Sequence, residues 1–208
     1  MKLPFAGRLL AVAMLAATSL SLPVAHADTP EKPKIGLVMK SLANEFFVTM
    51  ADGAKAYQQQ HPADFDLISN GIKNETDTAG QVDIINQMII AKVDGLVIAP
   101  ADSKALISTI DKARKAGIVV VNIDNQLDPQ VLKAKHLGVP FVGPNNRDGA
   151  RKVGEFLAAK LSAGDEVGIN EGVSTTTNAQ QREAGFKAAM QAAQMNVVSV
   201  QSGDWEID

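Results

Sequence analysis

Cysteine is absent from all 208 residues. The chain therefore has no disulfide staple, no thiolate metal ligand, no cysteine nucleophile and no cysteine to carry a lipid anchor. Aromatics are scarce at 4%, with one Trp and one Tyr. Neither sign of charge dominates, since 20 Lys and Arg face 23 Asp and Glu. Nothing basic is concentrated enough to suggest nucleic acid. After residue 28 no apolar run approaches the ~20 residues that a bilayer helix needs. Several motifs are missing as well. There is no G-x-G-x-x-G, no G-x-x-x-x-G-K-[ST], no H-E-x-x-H and no G-x-S-x-G. Dinucleotide, nucleoside triphosphate, zinc-protease and nucleophile-elbow chemistry lose their usual carriers. His61 and His136 both fall in expected loops, so a hydrolytic triad has no placed base. The expectation is no enzyme, no cofactor and no metal.

What is present begins with a leader. Lys2 and Arg8 give a positive start, residues 9–22 are apolar, and Ala25-His26-Ala27 offers small residues for cleavage. This is the pattern of a signal peptide over residues 1–27. A membrane anchor is the competing reading, opposed by the short apolar core. Removing 27 from 208 residues leaves 181, with 18 Lys and Arg against 23 Asp and Glu, a net of −5. An exported, freely diffusing protein of this kind fits a periplasm.

The remainder alternates short β-branched runs with longer amphipathic ones. Strands are expected over residues 34–39, 65–69, 95–99, 118–123, 140–143, 166–170 and 196–200. Helices are expected over residues 44–60, 78–92, 147–161 and 178–193, and from a Ser103 cap to residue 116. Residues 126–139 read as irregular. This order implies right-handed βαβ units, hence an α/β fold with parallel sheets and helices on both faces. Such sheets bind ligands beyond the carboxyl ends of their strands. Those positions hold Lys40 and Asn44, then Asp124 and Asn125, then Asn146, and finally Trp205.

At these positions the chain resembles the sugar-binding periplasmic binding proteins of ABC transporters, of the ribose- and allose-binding type. The motifs are Asn44-Glu45-Phe46-Phe47, Val121-Asn122-Ile123-Asp124-Asn125, Arg182-Glu183-Ala184-Gly185-Phe186 and Gly203-Asp204-Trp205-Glu206. Glu45 stands where the family has proline, Asn125 where it has arginine or glutamate, and Ala99 where the ribose type has asparagine. The resemblance implies a ligand set of Lys40, Asn44, Phe46, Phe47, Asp124, Asn125, Asn146, Arg182 and Trp205. It implies a two-lobed fold, with a first lobe over residues 33–144 and a partial second lobe over 145–208. It also implies that the family continues past residue 208 and that this chain is a shortened portion.

Each residue has a second reading. Asn44 suits a helix N-cap; Phe47 shares a helical stripe with Met50; Asp124 suits a turn; Arg182 suits a solvated helix face; Trp205 suits a core anchor. On the family reading the guest is a monosaccharide or sugar alcohol and the partner is a membrane permease. A sensor that presents its ligand to a chemoreceptor is the alternative.

Overall fold

A signal of alternation in the sequence becomes two parallel sheets in the structure, a computed structural model that describes residues 31–206. The expected leader at 1–27 lies outside the described residues. The chain runs β1 (Lys34–Ser41), α1 (Glu45–Gln60), β2 (Asp66–Ile72), α2 (Thr78–Ile90), β3 (Gly95–Ile98), α3 (Ile107–Lys115), β4 (Val119–Ile123), α4 (Pro129–Ala134) and β5 (Phe141–Val142). It then continues through α5 (Asn146–Ala158), β6 (Glu166–Glu171), α6 (Thr177–Ala192) and β7 (Asn196–Ser202). Among the described residues no helix is long and apolar enough to cross a membrane.

The first sheet has the order β2-β1-β3-β4-β5, with all pairings parallel. From β1 the chain steps to β2 on one side and then crosses to β3 on the other. Strand order thus reverses beside β1, and the crevice beyond the carboxyl ends of β1 and β3 is the expected ligand position. The alternating side chains of β1 feed two cores. Val38 joins Ile85, Met88, Ile98, Leu106, Ile110 and Val120 beneath α2 and α3. Leu37 and Met39 join Phe47, Ala51 and Ala99 beneath α1. Burial of both faces explains the unbroken apolar strand segments.

The second sheet pairs β6 with β7 in parallel. Val167 and Val197 pack with Met190 and Ala189 of α6. By strand alternation Val198 points to the other face, where it is 60% exposed. Helix α5 lies against α6 so closely that a Cβ on Gly185 would stand 2.1 Å from the Arg147 carbonyl oxygen.

Local chemistry corrects two expectations. Residues 126–139 are not irregular throughout, because they contain α4. Asp128 caps it by accepting from the Gln130 and Val131 amides, and Pro129 follows at the first helical position. This Asp-Pro start is a recognised helix signal. Ser103 does not cap α3. Asp102 Oδ1 accepts from the Lys104 and Ala105 amides at 2.7 Å in the turn leading to α3, while the Ser103 hydroxyl turns toward α6.

Candidate functional site

A cavity of about 180 Å³ opens at the carboxyl ends of the first sheet. That is below the ~300–1,000 Å³ usual for drug-sized ligands, so it suits a small guest. Lys40, Asn44, Phe46, Phe47 and Asp124 line it from the side of the first sheet, and Arg182 and Trp205 from the side of the second. Two residues that the sequence reading did not select, Glu75 and Asn178, complete the wall.

Gln81 shapes the crevice. It is fully buried in α2, and its side-chain amide donates to the Met39 and Ala99 carbonyls at 3.0 and 2.9 Å. Its oxygen accepts from the Ala101 amide at 2.7 Å. One side chain thus satisfies backbone groups where β1 and β3 part, which buried peptide groups require.

Lys40 leaves the end of β1 and is only 1% exposed. Its Nζ lies 2.9 Å from Glu75 Oε2, an ion pair whose angle falls outside hydrogen-bond geometry. Glu75 Oε1 accepts from Asn44 Nδ2 at 2.9 Å. Lys40 Nζ also sits 5.5 Å over the Phe47 ring. Asn44 is both wall and cap, since its Oδ1 accepts from the Phe46 amide at 3.0 Å and starts α1. Phe47 likewise fills two roles. It is 4% exposed and packs in the α1 core, with one edge on the cavity. Phe46, set edge-on to Phe47 with centroids 5.1 Å apart, is 57% exposed and presents its ring.

Asp124 stands in the left-handed region at φ 59°, just past β4. Aspartate tolerates that conformation better than most residues. Asn122 holds the turn, donating to the Asn125 carbonyl at 2.7 Å and accepting from the Leu127 amide at 2.8 Å. Among the described residues no hydrogen bond engages the Asp124 carboxylate. Burial pushes its pKa above the ordinary aspartate value, opposed by the charges of Lys40 and Arg182 and reinforced by Glu75. The cavity wall thus carries two cations and two anions.

Trp205 is also left-handed, at φ 64°, behind Asp204 at φ 48°. A bulky residue there is an outlier, and such strain gathers at binding sites. The indole rests on Gly172, where any Cβ would fall 1.8 Å from the ring. Its buried Nε1–H has no partner within the described residues. Arg182 stacks over the indole at 5.3 Å, and its Nε donates to Asn146 Oδ1 at 2.7 Å.

Asn125 and Asn146 therefore stand apart from the other selected residues. Asn146 lies outside the cavity wall and orients Arg182. Asn125 is fully buried and faces away from the wall, because its Nδ2 donates to the Pro100 carbonyl at 3.0 Å and its Oδ1 accepts from the Asn178 amide at 3.2 Å. Glu75 was findable from the sequence: a lysine at the end of a buried apolar strand needs a counter-charge. Asn178 is the second residue of α6 and had no separate signal in the sequence. Among the described residues no cluster of three or more His, Asp or Glu could hold a metal ion.

Comparison with known proteins identifies the family. The periplasmic binding protein domain family matches residues 35–208. The D-ribose/D-allose-binding protein of Pseudomonas aeruginosa is 68% identical over 203 residues, covering 97% of this chain and 64% of the relative. A crystal structure of an ABC transporter solute-binding protein from Burkholderia multivorans, with an unknown ligand represented as alpha-D-erythrofuranose, superposes with TM-score 0.84 at 70% identity. It covers 85% of this chain and 62% of that one. A periplasmic solute-binding protein from Actinobacillus succinogenes with bound D-allose gives TM-score 0.76 at 35% identity, covering 84% and 61%. The chain thus spans less than two thirds of the length of these relatives. On the family match and these identities, it belongs to the periplasmic binding protein domain family.

Proposed function

We propose that the full-length protein is the solute-binding component of a carbohydrate ABC importer, and that a monosaccharide or sugar alcohol occupies the cavity. The observation that carries this reading is the make-up of the wall. A sugar ring has apolar C–H faces and a polar hydroxyl rim. Phe46 and Trp205 suit the faces; the unengaged Asp124 carboxylate and the Arg182 fork suit the rim. The names of the relatives, D-ribose/D-allose-binding and D-allose-bound, support the same guest class.

On this reading residues 33–144 form one lobe and 145–208 part of a second. The guest bridges them and favours the closed arrangement through contacts made only there. The closed form docks on a membrane permease, and the leader at 1–27 delivers the protein to the periplasm. The reading assigns no chemical step to the site.

Calorimetry on the full-length protein with D-ribose, D-allose and a hexitol tests it. A few charge-assisted bonds and two ring faces should give affinity near micromolar, about −8 kcal/mol. Absence of binding to every neutral sugar and polyol would overturn the reading.

A further inference from the structure

Helix α6 carries two of the cavity residues, Asn178 and Arg182, yet its own cap is missing. Thr176 holds the N-cap position without a side-chain cap bond. Its hydroxyl donates instead to the Val173 carbonyl at 2.6 Å. The first amides of a helix have no intrahelical acceptor and need one from elsewhere. Here the acceptors come from the first sheet, across the cleft. Thr177 N–H donates to Ser103 Oγ at 2.8 Å, and Asn178 N–H to Asn125 Oδ1 at 3.2 Å. The Thr177 hydroxyl donates to the same Ser103 oxygen at 2.9 Å.

Both acceptors are held in place by their own side of the cleft. Ser103 donates to the Gln126 carbonyl at 2.8 Å, and Asn125 to the Pro100 carbonyl at 3.0 Å. Ser103 then has its donor and both lone pairs filled. Neither residue lines the cavity.

We infer that Ser103 and Asn125 form a latch that caps α6 only when the two sides of the cleft meet, and so strengthens capture of any guest without touching it. The inference rests on the proposed sugar-binding function and deepens it. Separation of the two sides would return the Thr177 and Asn178 amides to water, while the acceptors keep their positions. The latch therefore adds a fixed increment to closure, whatever sits in the cavity. Where the open form predominates without guest, apparent affinity scales with the competence of the closed form. The latch also sets the register of α6. Arg182 lies five residues beyond Thr177, about 7 Å along the helix, so anchoring the first turn fixes where the guanidinium enters.

The test uses the full-length protein with Ser103→Ala, titrated with D-ribose and with D-allose. Affinity should fall by about 5- to 20-fold for both sugars by the same factor, carried by faster dissociation. Thr177→Val, which removes one bond to the same hydroxyl from the other side, should give a smaller loss of the same kind. It decides the matter if Ser103→Ala folds poorly. Unchanged affinity and dissociation rates would overturn the latch, and so would a loss confined to one sugar, which would mark direct contact. If the unmodified protein binds neither sugar, the function reading fails, the guest-free sides rest joined as in the structure, and amide exchange decides the latch alone. Faster exchange at residues 177 and 178 in guest-free Ser103→Ala supports it; exchange equal to that of the unmodified protein overturns it.

Discussion

Asp124 holds a half-buried carboxylate that no hydrogen bond among the described residues engages, in a backbone conformation most side chains avoid. Charge-assisted hydrogen bonds contribute about 1.5–3 kcal/mol each. Asp124→Ala in the full-length protein should therefore weaken sugar binding by about 2–3 kcal/mol, some 30- to 150-fold, in a calorimetric titration. The pH dependence has a definite sign. Its pKa is raised by burial, so ionisation opposes folding of the guest-free protein as pH rises through that value. Asp124→Asn should then raise the guest-free melting temperature at neutral pH, and sugar affinity in the unmodified protein should start to fall at a higher pH than an ordinary aspartate would dictate. Glu75 behaves differently. Glu75→Gln would strand the Lys40 ammonium in a site only 1% exposed, and breaking a buried pair costs about 3–5 kcal/mol; urea unfolding should show a drop of that size. At this scale the sequence singled out Asp124, Arg182, Phe46 and Phe47, because each ends a strand or sits in a short motif, and the structure brings them to one cavity wall. It could not show that Asn125 spends its amide on Pro100 and α6, since those partners come from distant segments.

Helix α6 is the element on which the site turns. Its packing against α5 depends on Gly185, whose place facing the Arg147 carbonyl leaves no room for a methyl group. Gly185→Ala should destabilise the protein by about 1–3 kcal/mol, as overpacking does, with a lowered urea midpoint and unchanged slope. The strands and helices were largely legible, because period-two and period-3.6 apolar patterns hold along most of them. Capping was harder to assign. Ser103 precedes an apolar periodic stretch and reads as a local cap, yet its hydroxyl serves a helix 74 residues away. Asp128-Pro129 carries a readable start signal for α4, a helix of only six residues.

For the whole molecule, the two sheets meet at a cavity whose wall comes from the segments that follow the strands and from helices α1 and α6. The alternation of strands and helices made a site beyond the strands' carboxyl ends foreseeable; the bonds between the two sides were not, since alternation says nothing about which loops touch. The Glu75 amide, for instance, donates to Glu206 Oε1 at 2.8 Å across 131 residues. The wall also balances Lys40 and Arg182 against Glu75 and Asp124. With opposed charges in the wall neither sign of solute is favoured, and a neutral guest arrives by plain diffusion whatever the local field. Stopped-flow association rates for the sugar should therefore stay flat between low and high ionic strength, whereas a steered encounter would slow steeply with added salt.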